Sequence, residues 1–470
     1  MKLTSNSLQS ISNSNNLRMG LSYAKESHAL FFERFSSHCA ERIKDVFFVE
    51  KGTSITEAQT EDGDIPVVAG GKDMAYFHNV SNRPKGCITI SASGANSGYV
   101  NYWDIPIWAS DCITLRSKNE KKYSTKFLYH ILRIIQDDVY LLQKGSDQPH
   151  VYGSDVKYIK IPPISTEQQT RILIDIRTLE EKIFTLHAEI KSESSIIDSV
   201  FSREFGWNYN GFNAQRRKKN YWVKPSNFSS NIDLRFSAKF HRNSGAFVMD
   251  ELKKTTTKKI KHFLSEPIVL GASVSPSDYD DEGNYRYISM ATIKNWKFDF
   301  DSANVVSDVY SEVKSAKSVK KNDIILARSG EGTIGKVALI QAKALHLYHS
   351  HREGTIGKVA LIQDDNLKGI FADFTMRIRL KDYNPEFAYY YFRTTYFQYL
   401  IEIYKKGLGN NTNIFPIVVR EFPLIDIPVY EQERIVAEIH AEIDKQEKLK
   451  AGISDIQQQI DQIIEGCISK

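Results

Sequence analysis

The stretch Gly330-Glu331-Gly332-Thr333-Ile334-Gly335-Lys336 has the spacing of a loop that cradles nucleotide phosphates. That chemistry needs a Ser or Thr after the lysine to hold magnesium, and Val337 stands there instead. A second copy, from Arg352 to Val359, lacks the first glycine. The corresponding stretch early in the chain, Ser93-Gly94-Ala95-Asn96-Ser97-Gly98-Tyr99-Val100, has no lysine. A glycine turn that brings backbone close to a ligand accounts for all three copies better than nucleotide binding does. No HExxH, no GxSxG and no GxGxxG between a strand and a helix occurs. The 12 histidines are scattered, and His346, His349 and His351 cluster only within an anomalous segment. Cys39, Cys87, Cys112 and Cys467 show no CxxC spacing and read as reduced thiols. No cofactor and no metal is expected, and the chain by itself is not expected to be an enzyme.

A second chemistry is better supplied. Lys144-Gly145-Ser146-Asp147-Gln148-Pro149-His150 and Lys405-Lys406-Gly407-Leu408-Gly409-Asn410-Asn411-Thr412-Asn413 occupy equivalent places, each before a closing strand. Amides, hydroxyls and lysines in a glycine-permitted loop suit phosphates and base edges. The candidate nucleic-acid contacts are Ser93, Asn96, Ser97, Lys144, Gln148 and His150 in the first half. In the second half they are Arg328, Ser329, Lys358, Lys405, Lys406, Asn410, Asn411 and Thr412. Polar Gly-Asn loops also adopt such sequences for turn chemistry alone. The basic runs Arg216-Arg217-Lys218-Lys219 and Lys253 to Lys261 are more often solvated surface, though they suit tracking phosphates. A net charge of +5 permits a nucleic-acid partner without arguing strongly for one.

The elements that must position these loops come in duplicate. Leu17-Arg18 answers Leu234-Arg235 and Ile43-Lys44 answers Ile260-Lys261, both 217 residues apart. Glu61-Asp62-Gly63 answers Asp281-Glu282-Gly283 at 220, and Lys85 to Gly94 answers Lys321 to Gly330 at 236. Lys126 to Arg133 answers Glu386 to Arg393 at 260. Each half closes on proline followed by a helix that opens on Glu-Gln, at Glu167-Gln168 and at Glu431-Gln432. Each pairing is weak alone; their shared order is not.

Within each half, short strands are expected at Ile65–Val68, Cys87–Ile90, Cys112–Leu115, Tyr287–Met290, Ile324–Leu326 and Thr375–Leu380. Helices are expected over Thr125–Gln143 and Pro385–Tyr404. After Pro163 the period changes. Ile172, Ile176, Leu179, Ile183, Leu186, Ile190, Ile197 and Val200 keep a 4-3-4-3 spacing, with Glu193 at the one polar step. Ile435, Ile439, Leu449, Ile453, Ile456, Ile460, Ile463 and Cys467 hold the same phase, with Glu442 and Gln446 interrupting. The pattern predicts one helix over about 167–204, roughly 57 Å long at 1.5 Å per residue, paired antiparallel with the C-terminal helix. The seam is expected to be weaker near the start of the latter. Gly206–Lys224 reads as a linker.

A chain of 470 residues is long enough for two or more cores. No run of about 18 apolar residues occurs, so no membrane is expected as a partner and a soluble, cytoplasmic protein is expected.

The ordered set of motifs resembles the DNA-specificity subunits of type I restriction-modification systems. The resemblance spans nearly the whole chain. It rests on Ser93 to Gly98, on Gly330 with Thr333 to Ile340, on the two Pro-then-Glu-Gln openings, and on Leu234-Arg235-Phe236-Ser237-Ala238. It implies an α+β protein: two mixed α/β target-recognition domains in pseudo-twofold repeat, separated by two long antiparallel coiled-coil helices. The expected boundaries are 1–163 and 226–428 for the recognition domains. The spacer helices are expected at 164–205 and 429–470, with a linker at 206–225. It further implies double-stranded DNA and methyltransferase subunits, two in number, as partners. Restriction (translocase/nuclease) subunits would join through them. Methylation and cleavage would belong to those partners. The competing readings are an adaptor whose paired helices only assemble partners, and a self-contained modification or cleavage enzyme.

One feature departs from the family. Glu331 to Gln341 recurs verbatim at Glu353 to Gln363, 22 residues later. Deleting 331–352 shortens the Gly335–Phe387 span from 52 to 30 residues, against 29 for Gly98–Phe127. A tandem insertion therefore sits in the second half, and its tail from Ala342 to Arg352 is expected to be an irregular excursion.

Overall fold

The computed structural model describes residues 41–145, 148–218, 220–229, 235–294, 296–299, 302–329, 359–361, 367–407 and 412–468. It divides into two compact units, Met1–Glu189 with Leu449–Lys470, and Ile190–Lys448. Mixed strand and helix makes the class α+β. Among the described residues no helix is long and apolar enough to cross a membrane.

The first unit contains β1 (Phe47–Lys51), β2 (Ile65–Val68), β3 (Met74–His78), β4 (Cys87–Ser91), β5 (Val100–Trp103), β6 (Trp108–Ala109) and β7 (Cys112–Ser117). The second contains β8 (Val269–Leu270), β9 (Tyr285–Ile288), β10 (Val305–Val306), β11 (Ile324–Ala327), β12 (Val359–Leu361), β13 (Gly369–Phe371) and β14 (Thr375–Ile378). The first unit has a four-stranded sheet ordered β1-β7-β4-β5 and a three-stranded sheet ordered β3-β2-β6. The second has β8-β14-β11-β12 and β10-β9-β13, the same orders with every strand advanced by seven. In both small sheets the one parallel pairing falls at the same place, β2 with β6 and β9 with β13. The strands β4 and β11 are buried along their whole length, as expected of central strands carrying Ile and Leu.

The strand in the β12 position settles which copy of the duplicated stretch completes the sheet. Val359-Ala360-Leu361 belongs to the second copy, and it pairs antiparallel with β11 through Ile324↔Leu361 and Leu326↔Val359. That register mirrors Ile88↔Tyr102 and Ile90↔Val100 in the first unit. The first copy and the Ala342–Arg352 tail lie outside the described residues, as do Leu17-Arg18, Cys39 and Leu234.

Three of the four expected helices are each broken once, and the C-terminal one is continuous. Thr125–Gln143 becomes α1 (Thr125–Ile134) and α2 (Gln136–Tyr140). The rod becomes α3 (Thr166–Glu189) and α4 (Glu193–Phe205). The supposed linker carries α5 (Tyr209–Arg217), whose Phe212 is fully buried, and is followed by α6 (Asn243–Thr255). Pro385–Tyr404 becomes α7 (Pro385–Arg393) and α8 (Thr395–Tyr404), and the C-terminal helix is α9 (Val429–Ile468). Local polar groups cap two of the breaks, those before α4 and α8, while the one between α1 and α2 falls at Ile135 without a side-chain cap. Ser192 is extended at φ −68°, ψ 150° and caps α4 by accepting from the Ser195 amide. Thr394 is extended in the same way and caps α8.

Inside the first unit Ile172 and Ile176 of α3 share a core with Ile460 and Ile464 of α9; Leu179, Ile183, Ile456 and Ile463 pack partly buried against it. Inside the second unit Ile197, Val200 and Phe201 of α4 share a core with Ile435, Val436 and Ile439. There α4 and α9 run antiparallel. The Lys191 amide near one end donates to Gln446 Oε1 at 2.8 Å, and at the other end Arg203 pairs with Glu438 and Glu204 with Arg434. The seam is therefore not weak at the start of α9, contrary to the pattern of polar interruptions. Gln446 is 4% exposed because its amide caps the break before α4. Glu193, the polar step of the stripe, faces the buried Arg393 with two contacts of 2.9 Å. Leu186, Ile190, Leu449 and Ile453 are only half-buried.

Candidate nucleic-acid interface

The glycine turn of the first unit is built from backbone bonds that only Gly permits. Gly94 and Gly98 sit at φ 78° and 91°, and the Ser97 amide donates to Gly94 O at 2.9 Å. The helices behind hold the turn in place. Gln136 Nε2 donates to Gly98 O at 2.8 Å while its Oε1 accepts from the Val100 amide at 3.0 Å. Gln143 Nε2 donates to Ser97 O at 2.6 Å. Tyr99 lies between two cations, with Lys72 Nζ and the Arg133 guanidinium each 5.3 Å from its ring centroid.

The second loop closes onto the first. Lys144 and His150 exchange two backbone bonds of 2.8 Å, and His150 also bridges to Ser93. Gly145, at φ 98°, makes the turn. Ser93 Oγ donates to Asp111 Oδ2. Lys144 Nζ contacts Asp155 at 2.8 Å and lies 5.4 Å from the Tyr152 ring centroid. Gln148 is exposed and Asn96 is partly so, whereas Ser97 is fully buried and does not present its hydroxyl.

The second unit repeats this closure with other side chains. Lys406 and Asn413 exchange two backbone bonds of 2.7 Å, and Asn413 bridges to Ser329. Gly407 makes the turn at φ 117°. Arg328 donates from Nε to Asp373 O at 2.9 Å and from Nη1 to Asn413 Oδ1 at 3.1 Å, tying the two loops together. Ser329 and Thr412 are buried, at 8% and 4% exposure, so they shape the loop rather than face outward. Lys405 is partly exposed and ends α8. Lys358, Asn410 and Asn411 lie outside the described residues.

Reading the sequence for polar loops missed the residues that brace them. Arg235 donates from Nη1 to Tyr404 O at 3.2 Å and from Nη2 to Lys405 O, so it caps α8 where the loop begins. Lys72, Tyr99 and Arg133 were missed because their cation–π cluster joins three separate segments. Gly52 and Gly271 were also missed. A Cβ there would stand 2.1 Å from Ser110 O and 2.1 Å from Phe371 O, so backbone approach demands glycine after β1 and after β8. A Cβ at Gly63 or Gly283 would likewise meet backbone, 2.5 Å from His78 O and 2.0 Å from Val306 O.

Burial sets the ionisation of the nearby thiols. It raises Cys87 to about 11 and Cys112 to about 12, so both stay neutral and unreactive. Among the described residues no three His, Cys, Asp or Glu side chains group as a metal site.

Each unit thus sets a glycine turn and a cationic polar loop, closed onto one another, against two sheets in a fixed order. Residues 40–193 match the family model described as "Type I restriction modification DNA specificity domain". The chain carries this family match over 154 of its 470 residues. It is similar to the crystal structure of a type I restriction-modification S subunit from M. genitalium, at 14% identity and TM-score 0.36, over 91% of this chain and 95% of that one. It is also similar to the HsdS subunit from Thermoanaerobacter tengcongensis, at 13% identity and TM-score 0.34, over 93% and 95%. A third similar structure comes from a study of type I R-M complex assembly and conformational transition, at 13% identity and TM-score 0.41, over 91% and 95%. Among curated proteins none matches.

Proposed function

We propose that this subunit recognises a bipartite DNA site, each unit reading one part, and directs modification and restriction subunits to it. The observation that carries this reading is the twin closure of the loops. Lys144–His150 onto Ser93 and Lys406–Asn413 onto Ser329 have the same backbone pairing but different side chains. Equal frames with unequal contact residues suit two different base sequences. In the first unit Asn96, Gln148 and His150 read base edges while Lys72, Lys144 and Arg133 hold phosphates. In the second unit Arg328, Lys405 and Lys406 supply the cations, and Asn410 and Asn411 are further candidates for base contact. The two units are a pseudo-twofold pair, and α3, α4 and α9 act as coiled-coil spacers that fix the distance between the two parts of the site. Base chemistry belongs to partner subunits docked on these helices.

Mapping methylated positions in a host that carries this chain with its modification subunits tests the proposal. The expected map is a single two-part motif with a constant gap. Removing one helical turn from α3, with a matching turn of α9, is expected to change the gap and leave both parts intact. A continuous motif, or an unchanged gap, overturns the assignment.

A further inference from the structure

The sequence from Tyr209 to Arg242 carries eight Lys and Arg residues and one acid, Asp233. Its contacts follow α8 in order. Tyr209 packs on Tyr396 at 4.6 Å between ring centroids, Phe212 on Tyr399 at 4.9 Å, and the Arg216 guanidinium lies 5.8 Å from the Tyr399 centroid. Further along, Phe240 packs on Tyr404 at 5.2 Å and Arg235 caps the Tyr404 and Lys405 carbonyls. The helix α5 therefore runs along α8 toward the end that carries the Lys405–Asn413 loop. Its last turn brings Arg216 to the Tyr399 ring, midway along α8, and Arg217 and the capping Lys218 follow, all three exposed. Among the described residues none of the three makes an ion pair. Trp222, just beyond, is 97% exposed.

The other basic run is built differently. Lys254 pairs with Glu251, and Lys259 and Lys261 both pair with Glu421. It also lies at the opposite end of α6, where Trp207 Nε1 donates to Thr255 Oγ1, while Ser244 at the other end meets the Tyr399 hydroxyl at 2.6 Å. Three of the five lysines in that run are paired within the fold, whereas among the described residues Arg216, Arg217 and Lys218 have no carboxylate partner.

We infer that Arg216, Arg217 and Lys218 form a phosphate-holding strap that grips duplex DNA beside the bases read by the Lys405–Asn413 loop. The inference rests on the DNA-reading role proposed above and adds a contact surface outside the readout loops. Unpaired cations at the end of a helix that is anchored by aromatic packing are held in position without being neutralised. Such groups release counterions from DNA when they engage its backbone. They add affinity without base preference.

The test uses the full chain and a duplex carrying the motif selected by the wild type, with binding measured across a series of salt concentrations. Replacing Arg216, Arg217 and Lys218 together by Gln is expected to reduce the slope of log K against log salt by about 2 to 3, at about 0.9 per phosphate contact. Base preference should be retained. The control Lys253→Gln/Lys258→Gln, at the far end of α6, should leave the slope nearly unchanged. All three replaced residues are exposed, so the unfolding midpoint should fall only slightly, through the Arg216–Tyr399 contact. An unchanged slope in the triple variant overturns the strap, as does a loss equal to that of the control. Lost base preference with an unchanged slope would make the run a positioning element and also overturn it. Absence of site-preferring DNA binding in the wild type would instead sink the underlying reading, which keeps the two failures distinct.

Discussion

Gln169 Oε1 accepts the amide hydrogen of Ser124 at 2.8 Å, and Ser124 is the residue that caps α1. Its Nε2 donates to Ile164 O at 2.9 Å and to Lys122 O at 3.1 Å. Gln432 does the same in the second unit, accepting from Asn384, the cap of α7, at 2.8 Å and donating to Ile427 O at 2.8 Å. The repeated Glu-Gln opening is thus a joint between a long helix and the recognition unit beside it. It also corrects the alignment by one residue. The equivalent pair is Gln169 and Gln432, 263 apart, in step with Ile172 and Ile435, rather than Gln168 and Gln432.

Gln169→Ala would remove the partner of a part-buried amide hydrogen and of two carbonyls. The expected loss is about 1–3 kcal/mol, read as a lower midpoint in urea unfolding. Gln432→Ala should behave alike, and an unchanged midpoint for both would remove the joint's structural importance.

Much of this architecture is legible in the sequence, and the failures have physical causes. Ile65–Val68 and the strands starting at Cys87, Cys112, Ile324 and Thr375 are short apolar runs between turn residues, so their period is visible. The stripe on the helices is visible too. The breaks at Ser192 and Thr394 are not, because a Ser or Thr in a long apolar stripe reads as a surface position until its hydroxyl is seen capping. Gly206–Lys224 reads as a linker because Asn, Gly and basic residues hide Trp207 and Phe212, which bury on aromatic rings from distant α8. Side-chain burial at Ser97, Ser329 and Thr412 depends on tertiary closure and has no local signature.

In the second unit Asp323 is fully buried and accepts two bonds from Arg379, at 2.6 and 2.7 Å; Glu266 joins Arg377 and Arg379. Asp323→Ala would strand a partly buried guanidinium. The expected cost is about 3–5 kcal/mol, measured by thermal or denaturant unfolding. A loss below about 1 kcal/mol would mean that Glu266 alone suffices.

Gly52→Ala and Gly271→Ala each force a Cβ against a backbone oxygen that cannot retreat without moving the sheet. Each is expected to destabilise its own unit by about 1–3 kcal/mol or more. Gly452→Ala, where a Cβ meets nothing within 4 Å, should be neutral or slightly stabilising. Equal tolerance at all three positions would contradict the close approach.

His440 Nε2 lies 2.8 Å from Glu386 Oε1, and this hydrogen bond raises the imidazole above its ordinary 6.5. The raised folded value means the contribution is fully present below the unfolded value and is lost as pH rises through the folded one. His440 is nearly half exposed, so the expected effect is under about 1 kcal/mol. Unfolding midpoints measured from about pH 5.5 to about pH 8.5 should fall more steeply in the wild type than in Glu386→Gln; parallel profiles would exclude the pair.

Arg235→Ala removes the cap where α8 meets the loop. Amide hydrogen exchange at Lys406 and Asn413 is expected to quicken, with the Lys144 and His150 amides unchanged. Unaltered protection at Lys406 would show that the cap does not brace the loop.

The most direct test of the central claim is a binding selection on randomised duplex DNA with the full wild-type chain and with Arg328→Ala. The wild type is predicted to return two short motifs at a fixed separation. Arg328→Ala, which loosens only the Ser329–Asn413 closure, is predicted to blur one of them and leave the other and the gap intact. A single continuous motif, or equal blurring of both parts in a variant whose unfolding midpoint is unchanged, would contradict a subunit that reads DNA with two separate heads.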